Sequence, residues 1–231
     1  MSKVRLYLVR HGKTMFNTIG RAQGWSDTPL TAEGELGIHE LGIGLRESGL
    51  QFDRAYSSDS GRTIQTMGII LEELGLQGKI LYRMDKRIRE WCFGSFDGAY
   101  DGDLFMGLIP RIFNVDHVHQ LSYAELAEGL VEVDTAGWAE GWEKLSGRIK
   151  EGFEAIAKEM EEQGGGNALV VSHGMTIGTI VYLINGMHPH GLDNGSVTIL
   201  EYEDGQFSVE VVGDRSYREL GREKMEETNN Q

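Results

Sequence analysis

Two apolar runs that each end in a histidine and a glycine constrain this chain more than any other feature. Residues 4–9 lead into Arg10-His11-Gly12, and residues 168–171 lead into Ser172-His173-Gly174. Runs that are apolar throughout, rather than alternating, suit strands covered on both faces, as in the parallel sheets of α/β proteins. Open α/β sheets bind ligands beyond the carboxyl ends of their strands. A glycine after each histidine lets the chain turn sharply and approach a bound group closely. Two such strands in one sheet would bring an arginine and two imidazoles to a common rim.

The rest of the pattern fits that sheet. Thr31 is placed to cap a helix whose apolar face holds Leu36, Leu41, Ile43 and Leu45 through about Gly49. Gly42 and Gly44 fall inside it, where each costs about 1 kcal/mol relative to alanine, so close helix packing is expected there. A short strand is expected over residues 52–57, then a helix capped by Asp59 that runs to Leu74 and stops at Gly75. A third strand is expected over 79–82. Residues 99–137 break the alternation with a mixed aromatic and apolar set and one short helix over 123–130, and read as an insertion lying over the rim. A long helix over 138–163 puts Trp138 and Trp142 on one face and ends at Gly164-Gly165-Gly166. After the strand that carries His173, a helix is expected over 175–185, then an antiparallel edge hairpin of 197–202 and 207–212. The polar residues beyond it read as a mobile tail. The expected fold is α/β: a three-layer sandwich with a mostly parallel sheet, an antiparallel edge and a helical cap insertion, all in a single domain spanning 1–231.

Composition narrows the function classes. The chain has 231 residues, 32 glycines, three prolines and a formal net charge of −14. Nucleic acid and anionic membrane partners need a basic surface, which this balance does not supply. The first apolar run is too short for a signal peptide and no segment approaches membrane-spanning length. A single cysteine, Cys92, excludes an intrachain disulfide. These features together predict a cytoplasmic protein.

Four segments, in order, carry a resemblance. Arg10-His11-Gly12-Lys13-Thr14 with Asn17, Ser57 to Thr66 around Arg62, Arg89 to Gly98 around Glu90, and Ser172-His173-Gly174 resemble the motifs of the histidine phosphatase superfamily, the phosphoglycerate-mutase-like proteins. Lys13 and Phe16 stand where an acid and a tryptophan are most often met. The resemblance implies that His11 attacks phosphorus with its other ring nitrogen held by a backbone carbonyl, that His173 binds phosphate and stabilises charge during transfer, and that Glu90 is the acid and base.

The residue chemistry agrees with those roles. Neutral imidazole is a nucleophile near pH 7, and two nearby arginines would keep His11 neutral. Guanidinium forks at Arg10 and Arg62 match phosphoryl oxygens, and Asn17 adds a neutral donor. A phosphate beside His173 would also meet the N-terminus of the next helix. Trp91, Phe93 and Phe96 offer Glu90 an apolar setting, and Asp97 reads as structural. The spacings of His117 with His119 and of His188 with His190 occur in metal sites, but neither pair has a further Cys/His pair near it, so no metal is expected. Cys92 reads as a packed thiol. The expected function is a metal-independent phosphomonoester hydrolase of the superfamily's phosphatase branch, acting on a small phosphorylated substrate through a phosphohistidine and using no cofactor. The alternatives are a 2,3-bisphosphoglycerate-dependent phosphoglycerate mutase and a non-catalytic module that binds phosphorylated ligands.

Overall fold

The computed structural model describes residues 3–189 and 191–229. The chain begins with β1 (Val4–Arg10), a single helical turn α1 (Met15–Thr18) and the longer α2 (Ala32–Glu47). Next come β2 (Arg54–Ser57), α3 (Gly61–Glu73) and β3 (Leu81–Met84). A π-helix (Gly102–Leu108), α4 (Ile109–Phe113) and α5 (Tyr123–Val133) then lead to α6 (Trp142–Glu162). The chain closes with β4 (Gly166–Ser172), α7 (Gly174–Asn185), the hairpin β5 (Val197–Glu203) and β6 (Gln206–Asp214), and α8 (Ser216–Asn229).

The six strands form one sheet in the order β3-β2-β4-β1-β5-β6. The first four in that order run parallel, and β5 and β6 add the antiparallel edge. Leu6, Leu8, Ala168 and Val170 enter a core with α6 and α7, while Tyr7, Val9, Leu169 and Val171 enter another with α2 and α3. Side chains alternate across a strand, so covering both faces requires apolar residues at every position. That requirement explains the unbroken stretches 6–9 and 168–171, with Arg5 at the strand's start turned to Glu201 and Glu210, and gives the three layers. Among the described residues, no helix is long and apolar enough to cross a membrane.

Register places the two histidines. Arg10 lies opposite Ser172 in the parallel ladder of β1 and β4. His11 and His173 therefore leave neighbouring strands side by side. Above them, Leu104, Ile109, Leu121, Leu126 and Leu130 of the segment between β3 and α6 join the same core as Leu6 and Leu8.

Several local expectations are corrected. Asp59 does not cap α3; Ser60 takes that position without a side-chain bond, and the Asp59 carboxylate is held by the Arg89 guanidinium. β3 starts two residues later than expected, because an edge strand with Leu81 and Met84 exposed carries little pattern. Trp138 precedes α6 and is 69% exposed, so only Trp142 packs inward, 5.9 Å from the Tyr182 ring. The polar tail is the helix α8 along α2. A Cβ on Gly44 would lie 1.7 Å from the Tyr217 carbonyl oxygen, and one on Gly221 would lie 1.7 Å from that of Glu40, so the two backbones touch. Arg218 Nε and Arg222 Nε donate to the Glu40 carboxylate at 2.7 and 3.0 Å. Close packing at Gly42 and Gly44 is met, with α3 against the first and α8 against the second.

Candidate active site

A cavity of about 220 Å³ opens beyond the carboxyl ends of β1 and β4, with Arg10, His11, Asn17, Glu90 and Gly174 in its wall. His11 is 3% exposed and its Nδ1 lies 2.9 Å from the Gly12 carbonyl oxygen. A carbonyl only accepts, so Nδ1 carries the ring proton and Nε2 keeps its lone pair. Burial pushes the His11 pKa well below its ordinary value of 6.5, and the Arg62 and Arg10 charges push the same way. Gly12 cannot be larger: a Cβ there would meet Ile38 Cγ1 at 2.7 Å. Its N–H donates to Thr66 Oγ1 at 3.0 Å, and Asn194 Nδ2 donates to the His11 carbonyl at 2.8 Å.

His173 is fully buried, its ring centroid 5.3 Å from that of His11. Arg62 Nη2 lies 2.9 Å from His173 Nδ1, and Ser58 Oγ lies 2.7 Å from Nε2. A guanidinium can only donate, so His173 accepts at Nδ1 and donates from Nε2 to Ser58. Burial again lowers the imidazole pKa well below 6.5, followed by the charge on Arg62. Arg62 also donates to the Ser26 and Gly24 carbonyls and to Asp27, at 2.9, 2.8 and 2.9 Å. His173 thus stands beside the His11 ring with Arg62 bonded to it, and neither side chain is in the cavity wall.

Arg10 faces the cavity directly. One of its Nη groups donates to the Leu192 carbonyl, and its Nε is buried without a hydrogen-bond partner. Burial lowers its pKa and the Glu90 charge counters it. Asn17 uses its side-chain oxygen to accept from Thr14 N–H and Asn194 Nδ2, at 3.2 and 3.3 Å, which leaves its NH2 group for the cavity.

Glu90 differs from the apolar setting expected for it. Its Oε1 accepts from Trp91 N and Thr176 N, each at 3.0 Å, and its Oε2 accepts from Met175 N at 3.1 Å, while the Thr176 hydroxyl donates to the Arg89 carbonyl at 2.7 Å. The carboxylate therefore caps α7 from a distant part of the chain, meeting the free N–H groups of that helix end. The helix terminus expected to meet a phosphate is held at two of its amides by this side chain. Asp97 is structural as expected: it accepts from Gly24 N, Ser26 N and Phe93 N at 2.8, 3.0 and 3.2 Å, fixing the loop whose carbonyls hold Arg62.

Sequence reasoning missed Arg21, Gln23, Asp101, Phe105 and Tyr123, all in the cavity wall. Gln23 was reachable: it follows the first motif closely and accepts from Thr14 Oγ1 at 2.6 Å. Asp101 and Tyr123 lie in the irregular segment and carry no local signal. Burial raises the Asp101 pKa against the pull of Arg10, and raises that of Tyr123 to about 12 with help from the Glu90 charge. Among the described residues, no group of His, Cys, Asp and Glu side chains is placed to hold a metal ion. His188 lies against the rings of Tyr123 and Tyr182, and His190 is outside the described residues. Cys92 is buried, which raises its thiol pKa.

A buried imidazole with a free Nε2, an arginine and a carboxylate facing one small cavity can pass a phosphoryl group. The chain belongs to the histidine phosphatase superfamily (branch 1), whose family model matches residues 6–215. It is 31% identical over 226 residues to a probable phosphoglycerate mutase, GpmB, of Salmonella choleraesuis, covering 93% of this chain and 94% of that protein. The crystal structure of a phosphoglycerate mutase from Bacillus anthracis superposes with a TM-score of 0.90 at 38% identity, over 96% of this chain and 97% of the other. Bacillus stearothermophilus YhfR superposes with a TM-score of 0.73 at 27% identity, over 93% and 99%.

Proposed function

We propose that the protein hydrolyses phosphomonoesters through a phosphohistidine formed at His11 Nε2. The observation that carries this reading is the His11 ring: its Nδ1 is held by the Gly12 carbonyl, its pKa is lowered by burial and two arginines, and it faces the same cavity as Arg10 and Glu90. In the first half-reaction the Nε2 lone pair forms the N–P bond as the P–O ester bond breaks. The leaving oxygen takes a proton from the Glu90 carboxyl. In the second, water forms a new P–O bond, the N–P pair returns to Nε2, and the proton of the water goes to Glu90. Ester and water become alcohol and phosphate, and the protein is restored.

The bonding around Glu90 chooses the working oxygen. Oε1 accepts from two backbone N–H groups and Oε2 from only one, so Oε2 is the atom with room for a proton. Arg10 and the Asn17 amide would meet the equatorial oxygens as charge builds on them. Arg62 would act through charge and by fixing His173, which backs the His11 ring. The route draws on no bound cofactor.

Hydrolysis, rather than transfer between substrates, needs water at the phosphohistidine. Among the described residues, no α8 side chain lies in the cavity wall; that helix packs along α2 instead. A mutase must shield its phosphohistidine from water while the monophosphate reorients. The second reading is mutase action, favoured by the names of the Salmonella and Bacillus anthracis relatives.

One set of measurements tests both. Rapid denaturing quench with labelled substrate should trap an acid-labile phosphoryl adduct on the native protein and none on His11→Ala, which should lose turnover yet stay folded. An active His11→Ala protein removes the covalent route, and a native protein that never acquires label is a binding module. Incubation of 3-phosphoglycerate with catalytic 2,3-bisphosphoglycerate should release phosphate with little 2-phosphoglycerate. Rapid isomerisation without phosphate release selects the mutase.

A further inference from the structure

Next to the cavity that holds His11 is a second chamber of about 310 Å³. The two adjoin across shared wall residues: Phe105, Tyr123, Met175, Pro189 and Gly191. Their chemistry differs. Arg10, Arg21, Glu90 and Asp101 line the first, whereas among the described residues no Lys, Arg, Asp or Glu lines the second. Its further walls are Met106, Val118, His119, Leu121 and Leu126, from the segment that lies over the sheet end, with His188. Phe105 is braced by an edge-on contact with Phe93 at 5.5 Å, and His188 by one with Tyr123 at 4.6 Å. Met106 stands on the π-helix with 80% of its surface exposed. Insertions of this helix type concentrate at functional sites, and a flexible thioether adapts to apolar ligands of varied shape.

We infer that the alcohol released by this protein is apolar: the substrate class is phosphomonoesters of alkyl or aryl alcohols, with phosphate at Arg10 and His11 and hydrocarbon in the adjoining chamber. This rests on the phosphohydrolase reading above. The occupant follows from continuity, because a group bonded to a phosphorus beside His11 is the part of a ligand that reaches this chamber. A carboxylated alcohol would leave its water there without finding a cationic partner, and a sugar has more hydroxyls than His119, His188 and Tyr123 could meet. A methylene chain gains by the same move.

The test is a series of n-alkyl phosphates from methyl to octyl, set against glycerol phosphate and 3-phosphoglycerate. The value of kcat/KM should rise by about three- to fourfold per added methylene until the chamber is full, the factor equivalent to burying one CH2. Met106→Glu and Val118→Asp, at exposed and half-buried positions, should each lower the octyl-to-methyl ratio by roughly tenfold or more, with thermal unfolding checked alongside. Calorimetric binding of the matching alkylphosphonates needs no turnover and separates the two claims. A rising affinity with no ester hydrolysed removes the phosphohydrolase reading and keeps the apolar subsite. Affinity that is flat across the phosphonates overturns the subsite even if esters turn over.

Discussion

The floor of the cavity and the segment above it manage their polar groups differently. On the floor, one chain of hydrogen bonds runs from His11 through Gly12 to Thr66, on to the Arg62 carbonyl, and from the Arg62 guanidinium through His173 to Ser58. It ties the ends of β1, β2 and β4 to α3. Above, Phe105, Met106 and Val118 present apolar side chains, and the segment is pinned at its foot by one carboxylate, Asp134. Phosphoryl transfer needs reacting atoms held to a fraction of an ångström, whereas an organic group needs a wall that can yield. On the proposed reading, rigid polar bonding would hold the phosphoryl group and apolar packing the organic one.

The largest expected effect falls where the two regions meet. Glu90→Gln removes the transferable proton and turns an NH2 group toward an amide that Oε2 now accepts from. Turnover of esters with poor leaving groups should fall by about 10²–10⁴, the usual range for a lost general acid. Activated aryl phosphates should lose less when phosphorylation is rate-limiting. Equal losses across leaving groups, with that step shown to limit the rate, would reduce Glu90 to a cap for α7.

The same contrast sets what was legible in the sequence. The floor could be read because a strand covered on both faces is apolar on both, so the runs 6–9 and 168–171 end visibly at Arg10 and Ser172. The bond between Glu90 and the start of α7 joins residues 85 positions apart and leaves no local trace. The π-helix over Gly102–Leu108 repeats at neither 3.6 nor 2 residues, so its apolar set had no recognisable period. α8 was misread for another reason. It meets α2 through glycine backbones and through Arg218 and Arg222, so it needs no apolar stripe.

A second effect, on stability, is confined to the floor. His11 and His173 are buried with pKa values below 6.5, whereas an unfolded chain would titrate them near that value. Below pH 6.5 the unfolded state therefore binds more protons than the folded state, and stability must fall as pH falls, down to the folded pKa values. Each histidine contributes a slope of up to about 1.4 kcal/mol per pH unit in that window. Urea unfolding at pH 7.5, 6.5 and 5.5 measures the sum, and His11→Gln should make the fall shallower. Unchanged stability down to pH 5.5 would mean that the floor histidines are not held neutral. The same low pKa of His11 should keep the acid limb of the rate profile below pH 6.5.

The smallest effect belongs to the foot of the upper segment. Asp134 loses some solvation there, yet the N–H groups of Ser95, Ala136, Trp138 and Ala139, at 2.6 to 2.8 Å, hold its pKa well below the usual carboxylate range. Its carboxylate thus stabilises the fold above the unfolded pKa near 3.8, and that contribution is lost only as pH falls toward the folded value. Because the site is partly open to water, Asp134→Ala should cost about 1 kcal/mol, as for a lost helix cap. In a chain of this length that lowers Tm by about 2–4 °C. Asp134 lies outside the cavity wall, so kcat for a small ester should change little, in contrast to Glu90→Gln. The difference in Tm between native and variant proteins should be constant from pH 8 to 5. A variant that keeps its Tm but loses activity on small esters would show that the upper segment positions the reacting groups, and the division between a rigid floor and a yielding cap would have to be redrawn.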